Sequence, residues 1–155
     1  MSEPVFLSAK GRLTGADAVA ALLLTEDGRY VMQLRDPKPE IFYPDHWGCF
    51  GGAVDGGEDP AQALMRELRE ELEFEAGSLR EFTRFDFDFS RLGQQRVYRI
   101  YYEVPVTNAA FARFVLHEGA AFRAFSAAEF LQQPRVTPYD AFAVWLHCRR
   151  ERFVS

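Results

Sequence analysis

The stretch Gly52-Ala53-Val54-Asp55-Gly56-Gly57-Glu58-Asp59-Pro60-Ala61-Gln62-Ala63-Leu64-Met65-Arg66-Glu67-Leu68-Arg69-Glu70-Glu71-Leu72-Glu73-Phe74 decides how this chain is read. Asp59 carries the short acceptor that a helix N-cap needs, and Pro60 follows at the first helical position, so a glycine-rich loop is predicted to turn into a helix here. Within it Ala61, Leu64, Met65, Leu68 and Leu72 recur at three-and-four spacing. At about 100° per residue they share an arc of roughly 100°, a buried stripe. Glu67, Glu70 and Glu71 occupy a second arc, centred about 120° away from the first. Taken alone, the three glutamates read as a solvated face with Arg66 and Glu70 as an i,i+4 pair. The residues around them open a second reading.

Upstream, apolar Ala16 to Leu24 and β-prone Tyr30 to Leu34 flank Thr25-Glu26-Asp27-Gly28, a hairpin pattern. Asp36 to Trp47, with three prolines and the aromatics Phe42, Tyr43 and Trp47, reads as a long ordered loop of the kind that shapes sites. Downstream, Phe85-Asp86-Phe87-Asp88-Phe89 alternates as a half-buried strand, with Asp86 and Asp88 on its solvent side. Arg96 to Val104 is its expected antiparallel partner. Ala121 to Phe125 reads as a short strand, Ser126 caps a short helix through Gln132, and Asp140 to Arg150 closes the chain as an amphipathic helix. Strands around a central helix, with another helix at the end, predict a mixed α/β sandwich formed by residues 1–155 as one domain.

The chain has 155 residues, 48% hydrophobic and 26% charged, so a packed core is expected. Its formal charge of −5, from 23 acidic and 18 basic residues, argues against a binder of nucleic-acid polymers and is compatible with recruitment of cations. Cys49 and Cys148 lie far apart without metal or redox spacing and read as two reduced thiols. No apolar run approaches the roughly 20 residues of a membrane span, and the first residues lack the pattern of a secretory signal, so a cytoplasmic location away from membranes is expected.

Read as a whole, Gly52, five residues, Glu58, seven residues and Arg66-Glu67-Leu68-Arg69-Glu70-Glu71 resembles the signature of the Nudix hydrolases, of MutT-like type. At average residue usage a chain of this length matches those positions by chance on the order of once in a hundred thousand. Glu73 stands where that family usually ends the helix with Gly, followed by Phe74 at the closing apolar position. Gly77 is then expected to cap the helix about a turn later. Phe50 precedes Gly51-Gly52 where relatives often carry Pro.

The resemblance implies the family's α/β/α sandwich with a mixed sheet, and hydrolysis of a pyrophosphate bond with Mg²⁺, or Mn²⁺ in its place. A pyrophosphate bridge carries adjacent negative oxygens, and hard divalent cations neutralise them while carboxylates hold the cations. Carried over, Glu67, Glu70 and Glu71 are metal ligands and the Gly51 carbonyl a further one. Glu67, Arg66 and Glu70 form the catalytic set, Glu67 as a general base toward water and Arg66 orienting the carboxylates. Glu58 supports the site, and Gly52 permits a tight backbone approach. Glu118-Gly119 resembles the segment that supplies another metal carboxylate in the triphosphate-hydrolysing branch, but Ala124 stands where that branch usually carries Trp, and Glu118 reads equally as a plain loop glutamate. Glu103 competes for that role.

Several assignments stay open at this level. Arg35, Arg96 and Arg99 each read as a phosphate-binding group or as a surface charge. Phe42, Tyr43 and Trp47 either line a base or sugar pocket or pack in the core. His46, His117 and His147 lack ligand spacing and read as structural or exposed. The substrate class is a small-molecule nucleotide, foremost a nucleoside triphosphate, with a nucleotide-sugar or sugar-diphosphate as the runner-up. A nucleotide sensor without turnover would carry damaged carboxylates, and none are damaged here. A homodimer is compatible with the chain.

Overall fold

In a computed structural model, residues 15–154 are described. Apolar β-branched and leucine-rich stretches form the centre of one mixed sheet. β1 (Ala18–Thr25) and β2 (Tyr30–Leu34) form the expected hairpin around Gly28, whose φ of 78° suits glycine. β3 (Trp47–Gly48) and β4 (Phe50–Ala53), separated only by Cys49, cross from β2 to β1.

α1 (Pro60–Leu72) begins where the sequence places it: the Asp59 carboxylate accepts the Gln62 N–H at 3.2 Å and Pro60 opens the first turn. Its buried stripe is rotated from the expected one. Ala63, Leu64, Leu68 and Leu72 are fully buried, whereas Ala61 and Met65 lie at the margin. Its end also departs from expectation. The helix does not run on to Gly77; Glu73 itself adopts the left-handed conformation (φ 53°) and donates its N–H to the Arg69 carbonyl, while Phe74 N–H bonds the Leu68 carbonyl. These two bonds and the burial of Phe74 hold a residue other than glycine in a conformation that costs it about 1–2 kcal/mol.

β5 (Arg80–Asp88) and β6 (Arg96–Val106) are antiparallel, joined through Ser90–Leu92 and Gly93, and β5 alternates as predicted. α2 (Asn108–Phe111) leads to β7 (Ala121–Phe125) and α3 (Ala127–Leu131), where Ser126 and Glu129 form a capping box. α4 (Pro138–His147) starts two residues before the expected Asp140 and stops before Arg150; Pro138 is its first-turn residue.

The sheet runs β3-β2-β1-β6-β5, with β4 added to β1 and β7 to β2; β1 and β6 are parallel and the other pairs antiparallel. Alternation along β1 divides the interior. Val19, Ala21 and Leu23 face Leu64, Leu68 and Leu72 of α1, while Ala20 and Leu22 share a second core with Tyr101, Phe130, Ala143 and Val144. The chain is thus an α/β/α sandwich, with α1 on one face and α3 and α4 on the other.

Candidate active site

The loop into α1 and the helix itself hold one another through Arg66. Its Nε and Nη2 donate to the two Glu58 oxygens at 3.0 and 3.1 Å, Nη1 donates to Glu67 at 2.9 Å and Glu70 at 3.3 Å, and Nη2 also reaches the Ala53 carbonyl at 3.2 Å. A planar guanidinium fork fits this task because it aims several donors at once. The sequence-derived set Glu58, Arg66, Glu67 and Glu70 is therefore gathered in one network.

Glu71 points the other way, inward, and is fully buried. Its Oε2 accepts the Gly51 N–H at 3.1 Å. Burial, reinforced by the charges of Glu118 and Glu67, pushes its carboxyl up to about 9 against the opposing Gly51 bond and Arg35 charge. Burial also raises Glu67, with Glu70 and Glu118 adding to it while Arg66 works against it. Glu118 comes from a distant loop. That loop is tied to the end of α1 by Val115 N–H to the Leu72 carbonyl and His117 N–H to the Glu71 carbonyl, and to β2 by Ala120 N–H to the Leu34 carbonyl. His117 Nε2 also meets Glu73 Oε1 at 2.7 Å, so Glu73 helps moor this loop.

Gly51 and Gly52 let the backbone pass beside these carboxylates. A Cβ on Gly52 would lie 2.5 Å from the Glu67 carboxyl carbon, and one on Gly51 would lie 2.1 Å from the Val19 carbonyl oxygen, with φ at 142°. The cluster is an all-oxygen donor set of like charges, in kind a fit for a hard divalent cation. As the side chains stand, however, no three His, Cys, Asp or Glu residues among the described ones enclose an ion. Arg66 holds Glu67 and Glu70, and Gly51 holds Glu71, so an arriving cation would draw these carboxylates from their present partners.

Other expectations are redistributed. Arg35 sits just beyond β2, donates from Nε to the Phe42 carbonyl at 2.8 Å, and is the arginine whose charge reaches Glu71. Phe42 thus contributes a backbone contact, while the Tyr43 ring meets Tyr139 at 5.9 Å. Trp47 does not line the site; it packs edge-on against Phe125 at 4.9 Å in the second core. Arg96 is paired with Asp88 on the outer hairpin, away from the carboxylates. Arg99 is no surface charge: its Nη2 donates to Asp140 at 3.0 Å and its Nε to Tyr101 Oη at 2.9 Å, beneath α4. Glu103 is excluded as a partner of Glu71, because it shares the opposite face of the sheet with Tyr101 and is bound by His147 Nε2 at 2.8 Å and by Arg80.

Sequence reasoning missed the buried Asp140. Its two oxygens accept from Arg99, Tyr101 Oη (2.7 Å), Thr137 Oγ1 (2.5 Å) and Cys49 N–H (2.9 Å), and despite burial these bonds hold its carboxyl below the usual range. An acid inside an otherwise apolar run, Tyr139 to Val144, was the available signal.

Residues 15–146 match the NUDIX domain. This chain belongs to the Nudix family. Its curated relatives include the RNA pyrophosphohydrolase of Acidiphilium cryptum, 36% identical over 86 residues, 48% of this chain and 51% of that protein. The RNA pyrophosphohydrolase of Gluconacetobacter diazotrophicus is 39% identical over 57 residues, 35% of this chain and 34% of that one. The matched regions therefore span between a third and a half of these relatives. Among solved structures, the MutT protein of Methanosarcina mazei superposes with a TM-score of 0.72 at 19% identity, covering 92% of this chain and 99% of that chain, and so shares the Nudix fold. Nudix hydrolases generally use divalent metals such as Mg²⁺. No helix of the described residues is long and apolar enough to cross a membrane.

Proposed function

We propose that this Nudix protein hydrolyses a pyrophosphate bond of a nucleoside triphosphate, using Mg²⁺ or Mn²⁺ held by Glu67, Glu70, Glu71, Glu118 and the Gly51 carbonyl. The observation that carries the reading is that Glu67 and Glu71 of α1 lie against Gly51 and Gly52, while backbone bonds tie the loop bearing Glu118 to the end of the same helix. A divalent cation held by these residues would supply neutralisation of the phosphate oxygens and a more acidic water. Glu67, half enclosed and beside Arg66, accepts the proton of the attacking water. Arg66 aims Glu67 and Glu70, and Glu58 fixes Arg66 in turn. Arg35, beyond the buried end of the cluster, meets the substrate phosphates.

A second reading is the removal of pyrophosphate from the 5′ end of RNA, favoured by the names of the curated relatives. The chemistry at the phosphates is shared; what differs is whether a polynucleotide follows the first nucleoside. The test is release of phosphate or pyrophosphate with Mg²⁺ from a panel of free nucleoside triphosphates, nucleotide-sugars and a 5′-triphosphorylated oligonucleotide. Turnover of free nucleotides, falling at least about 100-fold in Glu70→Gln and Glu71→Gln, is expected. Variants as fast as wild type would sink the metal assignment, and turnover of the oligonucleotide alone would transfer the function to RNA ends.

A further inference from the structure

β5 is the terminal strand of the sheet, and among the described residues nothing pairs with its outer edge. An open strand of nine residues is a template for another strand unless it is blocked. On the α4 side of the sheet, a ridge of aromatic rings leads to this edge. Phe142, Trp145 and Phe153 are 53%, 40% and 60% exposed. Phe153 lies 6.5 Å from Trp145, Trp145 is stacked at 6.0 Å on Phe142, and Phe142 lies 5.4 Å from Phe85 of β5. At 150–250 Å² per side chain, the three leave on the order of 300 Å² of aromatic surface in water, enough for the apolar centre of a standard interface of about 800 Å² per partner.

We propose that this edge and ridge are the contact between two copies of the chain, related by a two-fold axis across antiparallel β5 strands. This goes beyond the catalytic reading and does not depend on it. The charges select the occupant. On the face of β5 away from α4 the strand reads Arg84, Asp86, Asp88, with Arg84 already bonded to Asp86 at 2.9 Å. A second β5 running in the opposite direction, with Phe85 facing the partner's Phe85, brings Arg84 beside the partner's Asp86 on both sides of the axis. The strand is therefore complementary to its own reverse, as a two-fold contact requires. Because such a pairing keeps both α4 helices on one side of the continuous sheet, the two aromatic ridges meet above the junction and leave water together.

Sedimentation of the full chain over a dilution series tests this. A monomer–dimer equilibrium is expected, weakened roughly tenfold or more by Phe142→Ser or Trp145→Ser. Arg84→Asp is expected to weaken it by a few-fold to about tenfold, and the double change Arg84→Asp/Asp86→Arg to restore it. These exposed charges lie outside both cores, so the swap stays readable if an aromatic variant fails to fold. A chain that stays monomeric at every concentration overturns the proposal, as does a dimer indifferent to Arg84→Asp or one that the double change fails to restore.

Discussion

A methyl group added to Gly51 would strike backbone, whereas one added to the adjacent Gly52 would strike the tip of a side chain. The Gly51 Cβ has the Val19 carbonyl and the Ala20 Cα in its way, and neither can yield without parting β4 from β1. Gly51→Ala is expected to cost about 2–4 kcal/mol of stability, read by urea unfolding. The three atoms nearest a Gly52 Cβ all belong to the Glu67 carboxylate, which can swing away on its flexible stem. Gly52→Ala is expected to leave stability within about 1 kcal/mol of wild type while lowering turnover about 100-fold, since displacing a catalytic group by about 1 Å costs that much. Equal damage to stability from both changes would contradict this division. At this scale the sequence shows which residues belong together and hides how they differ. Glu70 and Glu71 are neighbours in the motif, yet one faces water and the other is buried against Gly51, because consecutive helical residues lie about 100° apart.

Elements bear different shares of the architecture. α1 could be read from its cap, its first-turn proline and its apolar spacing, all of them local signals. Its end could not, since Glu73 occupies a glycine's conformation only because the Leu68 and Arg69 carbonyls and a buried Phe74 lie within reach. α4 is legible as an amphipathic helix, but its function in the fold is tertiary: Asp140 anchors its first turn to β6 through Arg99 and Tyr101 and to the β3–β4 junction through Cys49. Removing the cation would leave a buried carboxylate without its counter-charge. Arg99→Met is expected to cost about 3–5 kcal/mol, read by thermal or urea unfolding, and the double variant with Asp140→Asn to recover part of that loss. A cost near zero would mean that Asp140 is satisfied by its hydroxyl and amide donors alone.

For the whole molecule, a chain of buried polar groups joins strands to the closing helix. Tyr30 Oη bonds His147 Nδ1 at 2.7 Å, and His147 Nε2 bonds Glu103, linking β2, α4 and β6. Burial, with Arg150 adding to it, lowers the histidine below its usual 6.5 against the pull of Glu103. The folded state therefore holds His147 neutral where the unfolded chain takes up a proton, so His147 contributes a loss of stability as pH drops below 6.5, set against the gain from the Glu71 carboxyl, which the folded chain keeps protonated below about 9. Unfolding of wild type and of His147→Gln, which keeps a neutral donor, compared between about pH 7.5 and pH 5.5 isolates the histidine: the stability of the variant relative to wild type should rise as pH falls. An unchanged slope in that variant would place the proton uptake elsewhere.

Local chemistry in the chain by itself determined the glycine loop, the start of α1, the carboxylate face with its Arg66, the hairpins and the alternating β5, because each depends on neighbours within a few residues. Only the tertiary structure decided which of two distant glutamates faces the helix. Strand alternation puts Glu103 on the α4 side, and backbone bonds to the end of α1 bring the Glu118 loop to the other. It likewise placed Trp47 in a core, Arg99 against a buried acid, and an aromatic ridge beside an open sheet edge. Those outcomes depend on which faces meet, and a one-dimensional pattern does not specify the partner across a contact.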